Sequence, residues 1–376
     1  MSSTLSHLEC AKCGARHDAD IEQHLCACGR PLLARYDLKR ASVLLNAAVL
    51  VQRPMDLSRF RELLPIRDPK AAITLGERMT PVIRLSGGWY VKDEGSLPTG
   101  SFKARGAALG VARARELGAE DVALPSNGNA GTAWSAYAAR AGLRAHIAIP
   151  AAAAENYAHE CAEFGADVQI VDGTISEAGR LVGSWVAARG YYDASTLKEP
   201  YRIEGKKTLG FEIAEQFEWR VPDVIVYPTG GGVGLIGMHK AFEELHALRF
   251  IPNRMPRFVA VQSSGCAPIV HAFNQRQPVS TSWENAHTIA YGINVPKAIG
   301  DFLVLNILRQ TGGTAVAIDD ADIIAARRRT AINDGVLLCL EGAAAFAAAE
   351  RLTKSSWICE NESVLIVNTA SGQTQV

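Results

Sequence analysis

The run Thr99-Gly100-Ser101-Phe102-Lys103-Ala104-Arg105-Gly106 sets one lysine in a turn of small residues. A lysine amine becomes a nucleophile when desolvation or a nearby cation lowers its pKa, and its standard task is a Schiff base with a carbonyl. Alone, the octapeptide is equally consistent with a surface turn and a solvated lysine. Three further segments bear on it. Tyr227-Pro228-Thr229-Gly230-Gly231-Gly232-Val233-Gly234 follows the apolar stretch Asp223–Tyr227 and leads into a helical pattern from Leu235 to Leu245. Strand, glycine-rich turn and helix N-terminus together make an anion site, with backbone N–H groups and the helix dipole favouring negative charge. Gly232-Val233-Gly234-Leu235-Ile236-Gly237 also matches the dinucleotide pattern G-x-G-x-x-G, which calls for an acidic residue at the end of the next strand. The next strand candidate, Arg257–Gln262, ends in Gln262 and Ser263, so a cradle for a single phosphate fits better. Ser126-Asn127-Gly128-Asn129-Ala130-Gly131-Thr132 lies between strand-like and helix-like stretches and suits a carboxylate or phosphate, with plain capping by Asn129 as the alternative. Val367-Asn368-Thr369-Ala370-Ser371-Gly372 follows an apolar strand, and its hydroxyls are partners for a ring nitrogen or turn residues.

In order along the chain, these four segments resemble the fold-type II pyridoxal-phosphate (PLP) enzymes, most closely threonine synthase and its relatives. The resemblance implies that Lys103 is the Schiff-base lysine. It likewise implies that Gly230, Gly231, Gly232, Val233 and Gly234 hold the cofactor phosphate, that Asn129 bonds the phenolic oxygen of the ring, and that Thr369 faces the pyridine nitrogen. Leu75-Gly76-Glu77 with Thr80-Pro81, Val91-Lys92-Asp93-Glu94-Gly95 and Tyr201-Arg202-Ile203-Glu204-Gly205-Lys206-Lys207-Thr208 extend the match over roughly residues 70–372. PLP is an electron sink for charge at Cα, and the protein decides which bond breaks next. The family's reaction takes O-phospho-L-homoserine and water to L-threonine and phosphate, with Lys103 as the base at Cα–H. A lyase of this kind needs a second anion cradle for the substrate phosphate. The candidates are Arg202, Lys207, Thr132 and Ser126, with the substrate carboxylate on the loop that includes Ser126, Asn127 and Thr132. Arg202 leads because guanidinium binds phosphate bidentately; its bland alternative is a surface ion pair with Glu199 or Glu204. Ala104 stands where many threonine synthases carry an acid, Ala130 where some carry Thr, and Gly372-Gln373 where Gly-Leu is frequent. Those departures bear on substrate more than cofactor and keep two other reactions open, a serine/threonine dehydratase-type β-elimination and a β-replacement on phosphoserine as in cysteate synthase; a reading of a different class is a non-catalytic PLP-binding or regulatory homologue. The intact Lys103 speaks against the last.

Cys10, Cys13, Cys26 and Cys28 form C-x2-C-x12-C-x-C, with Gly14 and Gly29 directly after each pair. Glycine after a cysteine pair suits the tight turn of a zinc knuckle, and four thiolates fill a tetrahedral shell with no open catalytic position. The C-x-C half is less usual than C-x-x-C, disulfides are the poorer explanation for a cytoplasmic chain, and a metal-free relic of such a ribbon is the alternative. Cys161, Cys266, Cys339 and Cys359 are scattered and read as small buried hydrophobes.

The 376 residues are enough for two sizeable cores, and 48% hydrophobic with 21% charged residues is ordinary for a soluble enzyme. Lys+Arg and Asp+Glu both number 39, so no net charge argues for nucleic acid or anionic lipid, and phosphate recognition must be local. The longest apolar runs are too short or too interrupted to span a bilayer, and no secretory signal is visible. The expectation is a cytoplasmic enzyme acting on a small amino acid, a homodimer by analogy with the family.

The elements that must position these residues alternate. Between 107 and 190 the pattern predicts helix Ala108–Leu117, strand Val122–Pro125, helix Ala133–Ala141, strand Ala145–Pro150, helix Ala152–Phe164, strand Asp167–Val171 and helix Ser176–Arg189. From Lys206 it predicts helix Thr208–Phe217, strand Asp223–Tyr227, helix Leu235–Leu245, strand Phe258–Gln262, helices Ala321–Asn333 and Gly342–Arg351, and strand Val364–Val367. Such alternation argues for parallel sheets covered by helices, an α/β chain. With the resemblance it implies two doubly wound domains of the tryptophan synthase β-like kind behind a small zinc-ribbon-like segment. The expected division is a ribbon over 1–38, a large PLP-binding domain from 39–106 and 191–376, and a small α/β domain over 107–190. The Asn129, Gly230 and Thr369 loops all fall at carboxyl ends of strands, where α/β sheets bind ligands.

Overall fold

Val224–Pro228 and Val364–Asn368 are buried at every residue, and strands with apolar side chains on both faces need cover on both. They lie at the centre of a six-stranded sheet. Its spatial order is Thr314–Ile318, Arg257–Ser263, Val224–Pro228, Val364–Asn368, Tyr90–Asp93, Val82–Arg84, all parallel except the last pair. Helix Leu340–Lys354 lays Ala343, Ala344, Ala345, Ala347, Ala348 and Ala349 against this sheet. The small methyl groups let helix and sheet approach closely, so the alanine run is a packing face. The computed structural model describes residues 3–374, apart from the side chains of 154–156 and 374. The described chain forms two compact units: residues up to Met79 with Lys103–Leu209, and Thr80–Phe102 with residues from Gly210 onward.

The first unit contains a four-stranded parallel sheet in the order Asp167–Val171, Arg144–Pro150, Asp121–Pro125, Tyr192–Asp193. It also holds a three-stranded antiparallel sheet, Arg16–His17, Leu5–Cys10, Leu32–Tyr36, built on the N-terminal cysteines. Gly14 and Gly29 each take positive φ, 71° and 74°, and turn the chain back after a cysteine pair. Among the described residues no helix is long and apolar enough to cross a membrane.

The compact units are drawn differently from the expected domains. Helix Lys103–Glu116 and the chain up to Leu209 group with the four-stranded sheet. Close backbone approach within that unit supplies the reason. A Cβ on Gly205 would overlap the Arg105 carbonyl oxygen, and one on Gly106 would lie 2.9 Å from the Arg202 carbonyl. Helix Arg202–Gln216 therefore begins six residues before the expected Thr208 and packs tightly on helix Lys103–Glu116. Lys103 and Asn129 each open a helix rather than sitting in the loop before it.

Candidate active site

The residue before Lys103 is held in place by the Thr369 segment. Phe102 donates its backbone N–H to the Thr369 carbonyl at 2.9 Å, Ser101 pairs with Ala370, and Ser371 donates to the Gly100 carbonyl at 2.8 Å. Thr99 adopts φ 60°, uncommon for a β-branched residue, so this turn is over-determined by its surroundings. The Thr99 and Ser101 hydroxyl oxygens are buried and make no hydrogen bond among the described residues. A buried hydroxyl is normally paired, so two unpaired ones beside Lys103 mark places for a ligand's polar atoms. Nothing in the spacing of the lysine turn marks either hydroxyl as a binding group.

Several motifs turn out to support that turn. Lys92 is fully buried, its Nζ donating to Glu212 Oε2 at 2.7 Å, Gln216 Oε1 at 2.8 Å and the Thr80 carbonyl at 2.7 Å. Thr80 Oγ1 donates to Glu94 at 2.6 Å. Asn368 Nδ2 donates to Asp93 at 2.9 Å, and its Oδ1 accepts from Cys339 N at 2.9 Å. A Cβ on Gly95 would sit 2.8 Å from the Ser371 backbone. These contacts fix the Thr369 loop, where Thr369 Oγ1 lies 3.7 Å from Cys339 Sγ. Burial pushes the Cys339 thiol up to about 12, so it stays a protonated S–H at neutral pH.

The Gly230–Gly234 loop joins strand Val224–Pro228 to helix Val233–Ala247. Gly232 is the N-cap at φ 76°, a conformation that disfavours any side chain, and no side chain caps the helix. A Cβ at Gly230 would lie 2.6 Å from the Gly292 carbonyl, and Cβ atoms at Gly232 and Gly234 would overlap Val304 and the Tyr227 hydroxyl. The glycines thus let backbone N–H groups of an uncapped helix face a ligand. Gln262 is fully buried, donating to the Thr229 carbonyl and accepting from Ile269 N and Val270 N. That structural use leaves the dinucleotide pattern without its ribose partner.

In the other unit, Ser126 Oγ accepts from Gly128 N at 3.0 Å and Gly131 N at 2.7 Å, and donates to the Gly128 carbonyl at 2.8 Å. Ser126 is therefore spent on shaping the loop that leads into helix Asn129–Ala141. That helix also has no side-chain cap, so Asn129 is not the plain cap of the bland alternative. Thr132 Oγ1 donates to Glu160 at 3.0 Å. Asn127 and Asn129 are half-buried at the helix start.

Arg202 is 4% exposed, so it is no surface residue. Glu199 accepts from the backbone N–H of Arg202 at 2.6 Å, while among the described residues the guanidinium donates only to the Ala194 carbonyl at 2.6 Å and lies 5.5 Å from the Trp134 ring. Among the described residues, no carboxylate lies in salt-bridge contact with the guanidinium. Burial lowers the Arg202 pKa to about 10, and the nearby Glu199 and Asp193 charges only partly offset it. Burying a charge without a partner is costly, and such charges gather where a ligand supplies the counter-charge. Lys207 is the opposite case. It is fully buried, but its Nζ bonds Glu204 at 2.6 Å and lies 3.9 Å from the Tyr36 ring centre, and Tyr36 OH donates to the same carboxylate at 2.8 Å. Lys207 is thus ion-paired within the fold.

A model of one family, described as pyridoxal-phosphate dependent enzyme, matches residues 73–370. The chain belongs to that family. Within it the chain belongs with the threonine synthases. It is 31% identical to the threonine synthase of Methanocaldococcus jannaschii, over 96% of this chain and 91% of that one. To the threonine synthase of Methanosarcina acetivorans it is 33% identical, again over 96% and 91%. Its fold is shared by solved structures of other enzymes. Maize serine racemase superposes with a TM-score of 0.67 at 22% identity, over 78% of this chain and 88% of that one. Threonine deaminase isoform 2 from Solanum lycopersicum gives 0.67 at 20%, over 89% of each. The residues present fit PLP. The lysine turn carries unpaired buried hydroxyls, the glycine loop opens an uncapped helix, and the Thr369 hydroxyl is held beside a protonated thiol.

Proposed function

We propose that this PLP-dependent enzyme converts O-phospho-L-homoserine and water to L-threonine and phosphate. The buried Arg202 guanidinium, with no carboxylate partner among the described residues, carries the reading: it would offer a preformed place for a substrate anion. Lys103, Asn129, the Gly230–Gly234 backbone and Thr369 would hold PLP, which supplies an electron sink for charge at Cα. Lys103 Nζ takes the proton from substrate Cα and returns one at the end. The uncapped start of helix Asn129–Ala141, with Asn127, binds the substrate carboxylate, and Ser126 holds that loop in shape. Arg202 takes the substrate phosphate and steadies it as it leaves, with Thr132 beside it. Lys207 supports this site through Glu204 and Tyr36 without touching substrate. Cys10, Cys13, Cys26 and Cys28 would hold a structural zinc ion. A cytoplasmic homodimer completes the reading.

The test is Arg202→Ala in PLP-loaded protein. Removing this buried guanidinium is expected to lower kcat/KM for O-phospho-L-homoserine about 100-fold or more, with PLP content unchanged. If Arg202→Ala turns over O-phospho-L-homoserine normally, the phosphate role of Arg202 is wrong. Ala104, in the position it takes in amino-acid dehydratases, favours one second reading, β-elimination from serine or threonine. That reaction would survive Arg202→Ala nearly intact.

A further inference from the structure

The N-terminal ribbon is not an appendage to the first unit. Its four thiols, Cys10, Cys13, Cys26 and Cys28, all lie within 4.8 Å of one another, with Cys10 Sγ 3.4 Å from Cys28 Sγ and Cys13 Sγ 3.7 Å from Cys26 Sγ. Zn–S bonds of about 2.3 Å in a tetrahedron put sulfurs about 3.8 Å apart, and all eight cysteines of the chain are free thiols. The loop between Cys13 and Cys26 carries the residues through which the ribbon grips the rest of its unit. The Ala19 carbonyl accepts from Tyr201 OH at 2.8 Å and from Arg113 at 2.7 Å. Asp20 pairs with Arg113 at 2.8 Å and Arg67 at 2.8 Å. His24 meets the Tyr192 ring edge-on at 5.4 Å.

Those contacts converge on the segment around Arg202. Tyr192 OH donates to Glu199 Oε1 at 3.0 Å, and Glu199 in turn accepts the backbone N–H groups of Tyr201 and Arg202. On the far side, Tyr36 at the end of the ribbon's last strand bonds Glu204 at 2.8 Å. The ribbon therefore holds Arg202 from before and after: through Tyr192, Glu199 and Tyr201, and through Glu204.

We propose that the four cysteines bind a zinc ion whose role is to position Arg202, by closing the Cys13–Cys26 loop that grips Tyr201 and Tyr192. The significance of Arg202 rests on the function proposed above; the metal and the mechanical link do not. Closing a loop at both ends removes its conformational freedom before it packs. Without the ion the grip on Tyr192 and Tyr201 loosens, and Arg202 loses its fixed place. Zinc binding replaces the four thiol protons and needs no oxidant.

The test uses full-length, PLP-loaded protein purified under reducing, zinc-replete conditions. Elemental analysis should find about one zinc per chain. Chelation should raise amide exchange across residues 192–205 about tenfold while leaving 224–262 unchanged. It should raise KM for O-phospho-L-homoserine about tenfold with kcat within about twofold, and added zinc should reverse both. Tyr201→Phe, which keeps the ring and loses the bond to Ala19, should reproduce the KM effect with zinc retained. Cys13→Ser should match chelation, and if that variant fails to fold, chelation and Tyr201→Phe carry the test. Zinc below about a tenth of an ion per chain overturns the site. Bound zinc whose removal leaves 192–205 unchanged overturns the positioning role. Opening of 192–205 in a protein that makes no threonine would sink the proposed reaction and leave this inference standing.

Discussion

Arg202, a buried arginine with no salt-bridge partner among the described residues, is central to the proposed chemistry. Arg202 was legible as a candidate because guanidinium suits phosphate, but its surroundings were not: sequence offered Glu199 and Glu204 as partners. The fold spends Glu199 on backbone N–H groups and Glu204 on Lys207 and Tyr36. Lys207 is ion-paired with Glu204 three residues before it, and the distant Tyr36 that donates to the same carboxylate is invisible in the local sequence. The Thr99 and Ser101 hydroxyls escaped notice because a lack of partners is a property of packing. Lys103→Ala is expected to abolish turnover and the absorbance of the lysine-bound cofactor, while a thermal melt stays near wild type. Retention of full activity would remove Lys103 from the chemistry.

At the scale of elements, the largely apolar strands Val224–Pro228 and Val364–Asn368 were readable because both faces are buried. Strand Tyr90–Asp93 was not, because Lys92 and Asp93 look exposed until Glu212 and Asn368 arrive from distant sequence. The start of helix Arg202–Gln216 was hidden by its charged run, which is paired within the helix by Glu204 and Lys207. The crossing at Gly205 predicts that Gly205→Ala costs about 3 kcal/mol or more, since the added methyl meets backbone that cannot yield. Gly183, in helix Ile175–Arg189 with nothing near its missing Cβ, predicts the reverse: Gly183→Ala gains about 0.5–1 kcal/mol. Urea melts of both variants check the pair, and equal effects would contradict the packing argument. Asp20 gives a pH signature. Hydrogen bonding to Arg67, with help from Arg113, holds its carboxyl below the usual carboxylate range. A depressed folded pKa contributes stability that is present above about pH 4 and is lost as pH falls through the lower, folded value. The difference in Tm between wild type and Asp20→Asn should therefore shrink from pH 6 to pH 3. A constant difference would contradict the ion pair.

For the whole molecule, balanced charge, alternating strands and helices, and the ordered motifs were enough to read an α/β PLP enzyme from sequence. Membership of the family and likeness to serine racemase and threonine deaminase agree with it. The expected division into domains was less legible, because glycine-mediated contact between helices carries no periodicity. Family and fold together leave several reactions open, since one scaffold hosts racemases, deaminases and synthases. What separates them is whether the enzyme consumes a phosphorylated substrate. The deciding measurement is a product assay of PLP-loaded protein with O-phospho-L-homoserine. Phosphate and L-threonine released in equal amounts would bear out the account. A 2-oxo acid product, or consumption of serine or threonine with no phosphate released, would contradict it.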